Sequence, residues 1–220
     1  MGLSGLLNKI WLWELKSNNL WTRYYAMQRI KKSGDIELLK KILRENVKVP
    51  GDDGCFWHPS MSYEAFSYFR DQYEIIPEDV IGILFNNLKT SDSMVRREVY
   101  ENLGRAYEKS TEQCKSKIMM ILKNGLIEEK EDPARQGVEQ AIRSLEKAIP
   151  FDEYKKIRIP ILLNRLEWVR YVEELISLME ADAVPILQDA LRSPNYEIRQ
   201  NAKWGLGTLE SGLYIPTKKW

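Results

Sequence analysis

The sequence predicts an all-α fold, a right-handed α-solenoid built from about six stacked helical hairpins. Apolar residues recur at intervals of three and four, alternating strand-like patterns are nearly absent, and one short pattern returns along the chain. The helical spacing is clear where Val95, Val99 and Leu103 fall on one face. Proline, glycine and asparagine interrupt these stretches about every 15 to 20 residues, so the predicted helices are short.

The returning pattern is an arginine followed three residues later by a small side chain and seven residues later by an apolar one. Its copies begin at Arg23, Ser62, Arg96, Arg135 and Arg199, the serine marking a weaker copy. The intervals are 39, 34, 39 and 64 residues, and a degenerate copy that starts near Trp168 divides the last of them. The chain is therefore predicted to be a single repeat domain whose units cover residues 4–33, 35–73, 77–109, 111–148, 152–180 and 182–211, with a tail at 212–220.

Within each unit, the pattern is expected on the second helix of a hairpin. Asn19, Asp92 and Asn195 stand just before three of these helices, where a side-chain oxygen can cap the helix N-terminus. A hairpin of this size cannot bury its apolar faces alone, so we expect successive hairpins to stack side by side. The first helices are expected to be more apolar, in the stretches 38–43, 80–88, 118–126 and 184–191.

Four tryptophans bear on the predicted core and surface. Trp168 and Trp204 fall at apolar positions of predicted helices and are expected in the core. Trp11 and Trp13 cannot share one helix face, so one of them is expected near the surface, where it would mark an interaction patch if the tail does not cover it.

The repeated segments resemble the HEAT-like repeat family, the short-repeat relatives of armadillo proteins that include the PBS-lyase HEAT-like repeats. The similarity is strongest from Ala183 to Leu191 and in the following Ile198-Arg199-x-x-Ala202, and it extends over most of residues 18–210. The resemblance implies a helical solenoid that serves as a binding scaffold. It also implies that the recurrent arginines lie along one edge and bond to neighbouring turns and helix ends.

Composition argues against several classes of function. With 33 Lys+Arg against 32 Asp+Glu, the net charge of +1 provides no general attraction to nucleic acid or to an acidic membrane. The apolar stretches are far shorter than the roughly 18 to 20 residues of a membrane-spanning helix. Two cysteines and one histidine cannot form the usual Cys/His zinc site. We therefore expect no cofactor, no metal and no membrane partner. Because no signal peptide is recognisable and the thiols are expected to be reduced, the predicted location is cytoplasmic.

The leading hypothesis is a non-enzymatic scaffold that binds a protein or peptide partner through the concave face of the second helices. The candidate contacts lie off the apolar positions of these helices. They are Tyr24, Gln28, Arg97, Tyr100, Gln136 and Lys203.

Nucleic-acid binding and catalysis are the two other hypotheses. The alternative is a nucleic-acid-binding or DNA-repair protein resembling the HEAT-like alkylation-damage DNA glycosylases, which hold a damaged base between tryptophans near an aspartate. Trp204 occupies a comparable late helix, but no tryptophan–aspartate pair matches, and the near-neutral charge disfavours this interpretation. An enzyme or lyase-type helper is the third hypothesis. Metal hydroxylases with HEAT-like repeats use His-Glu pairs, and His58 is followed by Pro59, which excludes that family. Bilin lyases and their relatives share the repeat, but no residue of this sequence identifies them.

One segment, residues 49–59, is longer than the corresponding turns of the other units and is predicted to be an insertion at one edge. It contains the candidate residues Asp52, Asp53, Cys55, Phe56, Trp57 and His58. Three interpretations stay open: a structural turn whose aromatic residues fill the groove beneath, a binding loop, or a metal or nucleophile site. The Pro-Gly-Asp-Asp-Gly composition favours the structural turn.

Overall fold

The computed structural model describes residues 3–45, 61–130 and 132–212, and in these ranges every regular element is a helix. The predicted all-α fold is confirmed. The α-helices are α1 (Leu3–Glu14), α2 (Leu20–Ser33), α3 (Ile36–Glu45), α4 (Met61–Gln72), α5 (Glu78–Asn87), α6 (Ser93–Ala106), α7 (Glu112–Glu128), α8 (Asp132–Ser144), α9 (Phe151–Leu163), α10 (Val169–Met179), α11 (Ala183–Ala190) and α12 (Tyr196–Glu210).

The chain divides after Ala148 into two compact units. In the first unit, consecutive helices pair as the hairpins α1/α2, α3/α4, α5/α6 and α7/α8. The second helices form a layer in which α2 packs on α4, α4 on α6 and α6 on α8, while α3 packs on α5 behind them. The second unit contains the hairpins α9/α10 and α11/α12, with α10 against α12. Each unit is thus built from stacked helical hairpins.

The predicted helix caps are confirmed. Asn19 Oδ1 accepts a hydrogen bond from the Thr22 amide at 3.2 Å, and Asp92 Oδ1 accepts from the Met94 and Val95 amides. Asn195 Oδ1 accepts in the same way from the first turn of α12. Each cap satisfies amides that have no partner inside the helix, an effect of about 1 kcal/mol per cap.

The recurrent arginines close the turns that precede their helices. In three of them, Nη1 donates to the backbone carbonyl six residues earlier: Arg23 to Ser17 at 2.8 Å, Arg96 to Thr90 at 3.0 Å and Arg199 to Ser193 at 2.7 Å. Arg135 departs from this arrangement, because its Nε lies 3.4 Å from Glu139 Oε1 on the same helix. The structural role implied by the family resemblance therefore holds for three of the four arginines.

Small residues allow the second helices to approach closely, most of all α6 and α8. A Cβ atom on Gly137 would lie 2.4 Å from the backbone oxygen of Arg97, and one on Gly104 would lie 2.7 Å from the Cα of Ala141. Both distances are well below van der Waals contact, so the two backbones meet directly.

Two tryptophans predicted in the core are exposed. Trp168 is the residue before α10, with an extended backbone, so helical spacing does not apply to it. Trp204 lies beside the buried stripe of α12, which contains Ala202 and Gly205. Trp13 is largely exposed and Trp11 only half-buried, so the expectation that one of this pair lies near the surface is confirmed.

Candidate functional site

The six predicted partner contacts occupy different environments. Tyr24 is exposed and Gln28 half-buried, both on α2. Arg97 on α6 is half-buried, and Gln136 on α8 is exposed. Lys203 is exposed on α12, in the second compact unit. The remaining candidate, Tyr100, is buried.

Tyr100 is not on an accessible surface as expected, because this side chain belongs to the packing between hairpins. It is 6% exposed, its hydroxyl donates to Glu129 Oε1 at 3.0 Å, and its ring lies against Gly125 of α7. Burial, together with the negative charge of Glu129, raises the pKa of the Tyr100 hydroxyl above its ordinary value. Tyr100 therefore cannot meet a partner without breaking the contact between α6 and α7.

The repeat register explains this burial. Tyr100 stands four residues after Arg96, and the residues four after Arg23, Ser62 and Arg135 are all buried: Met27, Phe66 and Glu139. Lys203 holds the same register after Arg199 but is exposed on the last described hairpin. The side chains one position after the recurrent arginines are exposed or half-exposed, as Tyr24, Arg97 and Gln136 show.

Helix α2 presents a contiguous cluster of exposed aromatic side chains. Trp21, Tyr24 and Tyr25 are 64%, 46% and 57% exposed, although their ring centroids lie only 5.6 to 6.3 Å apart. We call these three residues the aromatic face. They recur at i, i+3 and i+4, opposite the buried stripe that contains Ala26 and Ile30.

Sequence reasoning found only part of this surface. It selected Tyr24 and the neighbouring Gln28 but missed Trp21 and Tyr25. The available signal was three aromatic side chains within five residues, on the helix side opposite the repeated small residue. Trp13 on the preceding helix is also largely exposed, so both helices of the first hairpin present aromatic surface.

The charges around the aromatic face are basic, and part of them is neutralised. Helix α2 contains no acidic residue. Arg29 pairs with Glu14 of α1, and Lys31 pairs with Glu64 of α4 at 3.0 Å. Lys32 is exposed and forms no ion pair with any residue in the described ranges.

Further along the second-helix layer, the half-buried charged residues of α6 contact one another or a neighbouring ring. The Arg105 guanidinium lies 4.9 Å from the centre of the Tyr63 ring, which joins α6 to α4 by a cation–π contact. Glu101 accepts from Arg97 at 3.1 Å and from Arg105 at 3.5 Å. Arg97, a predicted partner contact, is therefore held by a carboxylate of its own helix.

The second unit has a separate open groove of about 750 Å³. Its apolar lining includes Leu163, Leu166, Ile186 and Ile198, with Asp189 and Arg192 among its polar residues. Nearby in the sequence, Arg158 is buried and forms two hydrogen bonds to Glu174 at 2.6 and 2.9 Å. This ion pair holds α9 to α10.

The candidate residues of the insertion, Asp52, Asp53, Cys55, Phe56, Trp57 and His58, lie outside the described residues. Within the described ranges, no group of three or more His, Cys, Asp or Glu side chains is arranged to hold a metal ion. Among the helices of those ranges, none has the length and apolar character needed to cross a bilayer. Cys114 is buried and forms no disulfide.

No family model and no curated protein matches the chain. Among solved structures, it is similar to two engineered proteins from a structural genomics consortium, at 18% identity with a TM-score of 0.40 and at 16% identity with a TM-score of 0.43. These similarities cover 96% of this chain and 98% and 100% of the engineered chains. It is also similar to a designed armadillo repeat protein at 16% identity, with a TM-score of 0.38 and coverage of 92% of this chain and 99% of that one.

Proposed function

We propose that this protein is a binding module whose partner, a protein or peptide, docks on the aromatic face of α2. The observation that carries the proposal is that Trp21, Tyr24 and Tyr25 contact one another and nevertheless remain about half exposed. Contiguous exposed apolar surface is uncommon on a soluble domain unless it binds something.

The chemistry of these side chains suits a protein interface. Tryptophan and tyrosine are enriched among the residues that contribute most to binding energy, because each buries a large ring and loses few rotamers. Mutual ring contacts restrict Trp21, Tyr24 and Tyr25 before a partner arrives, which lowers the entropy lost on binding. Gln28 lies next to them along α2 and would form part of the polar rim.

The other predicted contacts fit this proposal to different degrees. Gln136 and Arg97 share the register of Tyr24 on helices of the same layer, so a long partner that crosses α2, α4, α6 and α8 would meet them. Lys203 belongs to the second compact unit, and its part in partner binding stays a prediction.

A nucleic acid is the competing ligand, since aromatic rings also stack on bases. Single-strand binding additionally requires a positive track along the backbone. Around the aromatic face, Arg29 and Lys31 are already paired with carboxylates. The protein or peptide partner is therefore favoured, and the nucleic acid becomes an outcome of the test.

The test is quantitative affinity isolation from the native cells with tagged wild type and the double variant Trp21→Ala/Tyr25→Ala, with and without nuclease. The control is Trp204→Ala, which removes an exposed tryptophan from the second unit. We expect a nuclease-resistant protein that is captured by wild type and by the control and is lost from the double variant. Equal capture by all three would refute the aromatic face as the docking site. Nuclease-sensitive capture would favour the nucleic acid.

A further inference from the structure

We infer that the partner segment on the aromatic face is an extended, proline-containing stretch with one acidic side chain, an inference that rests on the proposed function. Its first basis is the polar chemistry of the face. The Trp21 indole and the Lys32 ammonium can only donate hydrogen bonds, whereas the Gln28 amide and the two tyrosine hydroxyls both donate and accept, so the excess of donors comes from Trp21 and Lys32. No carboxylate is present on α2. A complementary ligand must therefore supply more acceptors than donors.

The regular backbone conformations differ in the acceptors that they offer. In an α-helix, the carbonyls are already bonded internally, and a β-strand brings one N–H for nearly every carbonyl. A polyproline II helix has no internal hydrogen bonds, and proline has no N–H, so its carbonyls are acceptors without accompanying donors. Among the three conformations, a proline-containing polyproline II segment best matches a donor-rich surface.

Ring geometry is consistent with that choice. The Trp21 and Tyr24 rings are nearly perpendicular, at 87°, and the Tyr24 and Tyr25 rings are inclined at 69°, while the Trp21 and Tyr25 rings are closer to parallel, at 30°. Rings inclined in this way offer both faces and edges to a ligand. Proline-rich segments dock in grooves lined by aromatic rings, where pyrrolidine rings pack on the aromatic faces.

The charge and position of Lys32 indicate that the ligand carries an acidic side chain and where along the ligand it lies. Lys32 stands eleven positions after Trp21, so both point to the same side of α2, about 16 Å apart along the helix axis. Lys32 is exposed and forms no ion pair within the described part of the chain. A polyproline II ligand that lies along α2 rises about 3.1 Å per residue. Its carboxylate should therefore stand about five residues from the residue that contacts Trp21.

The test measures fluorescence anisotropy of labelled oligoproline peptides with the full-length protein. One probe is an oligoproline whose central prolines are intended to contact Trp21, with a single glutamate about five residues from its centre. Matched probes carry lysine in place of glutamate, glutamate next to the centre, or alanine in place of the prolines. We expect the first probe to bind at least threefold more tightly than each of the others.

Variants connect the probe to the named residues. We expect Trp21→Ala to weaken binding of the glutamate probe more than tenfold, and the control Trp204→Ala to leave it unchanged. Lys32→Glu should reverse the charge preference, so that the lysine probe binds more tightly than the glutamate probe. This reversal does not depend on the unknown partner and cannot result from general loss of folding, because one probe must gain affinity.

Several results would overturn the inference. They are equal binding of the proline and alanine probes, a charge preference that Lys32→Glu leaves unchanged, or no binding of any oligoproline at millimolar concentration. Binding of oligo(dT) that competes with the glutamate probe and requires Trp21 would replace the peptide with a nucleic acid. If the cellular partner requires Trp21 and Tyr25 while the oligoprolines fail, the docking site stands and only the ligand class is wrong.

Discussion

Arg96 and Glu129 form two parallel hydrogen bonds that join α6 to the end of α7, from Nε to Oε1 at 2.9 Å and from Nη2 to Oε2 at 3.1 Å. The same guanidinium bonds the carbonyl of Thr90, and the hydroxyl of Tyr100 bonds the same carboxylate. Arg96 therefore bonds both to the turn that precedes α6 and to the end of α7 in the next hairpin. Both side chains are largely buried, so the pair is well shielded from water.

Replacement of Arg96 by methionine should destabilise the protein by about 2–4 kcal/mol, because Glu129 is left as a largely buried charge without this guanidinium. Arg23→Met is the matched control. Arg23 is buried and bonds the Ser17 carbonyl, but its Nε has no hydrogen-bond partner among the described residues. We expect a loss of about 1 kcal/mol for that variant, with both measured by urea unfolding. Equal losses would contradict the assignment of the larger effect to the pairing of Arg96 with Glu129.

Replacement of Gly137 by alanine should cost about 3 kcal/mol or more, because the new methyl group would meet the backbone of Arg97, which cannot move aside like a side chain. Gly82→Ala in α5 is the control, since nothing lies within 4 Å of its added Cβ. That variant should be neutral or up to about 1 kcal/mol more stable through helix propensity. Thermal and urea unfolding would measure both. A neutral Gly137→Ala would contradict the close approach of α6 and α8.

The stability of the protein should fall above pH 10 in a manner that depends on Tyr100. Its pKa in the folded state is raised above the ordinary value of 10.0. Unfolded chains therefore lose this proton at lower pH than folded ones, so the unfolded state binds fewer protons and stability decreases as pH rises through this window. Tyr100→Phe should lessen the slope of the urea midpoint against pH above 10 and leave the slope near pH 8 unchanged. Identical slopes above pH 10 would contradict the raised pKa.

Removal of the aromatic face should leave the fold intact. Trp21→Ala should change the free energy of unfolding by less than about 1 kcal/mol, because the indole is mostly exposed. Phe66→Ala, at a fully buried site on α4, should cost about 3–5 kcal/mol. Chemical denaturation of both variants would provide the comparison. A large loss for Trp21→Ala would indicate that this ring supports packing and would remove the reason to assign it to binding.

The features that sequence predicted correctly depend on residues close together in the chain. A cap needs only Asn19 and the next three residues, and an arginine that bonds a carbonyl six residues earlier needs only its own turn. Helical periodicity and the returning pattern are also local, which is why the stacked hairpins could be predicted from them.

The errors arose where burial depends on neighbouring elements. Tyr100 looks like a surface residue until α7 is placed against α6, and a change of one residue in register rotates a side chain by about 100°. Trp21 and Tyr25 were missed because their exposure depends on which helices cover α2. Arg135 differs from the other three arginines because a carboxylate, Glu139, stands four residues after it on the same helix, where the others have Met27, Tyr100 and Lys203.

Lys203 has a consequence for growth of the hairpin stack. At its register, Met27, Phe66 and Tyr100 are buried, and Tyr100 is covered in part by the first helix of the following hairpin. A further hairpin, or a second molecule, laid against α12 in the same way would have to remove an ammonium group from water, at a cost of several kcal/mol. A helix that covers α12 in this register must therefore bring a carboxylate for Lys203, much as Arg135 pairs with Glu139, the charged residue buried at the same register on α8.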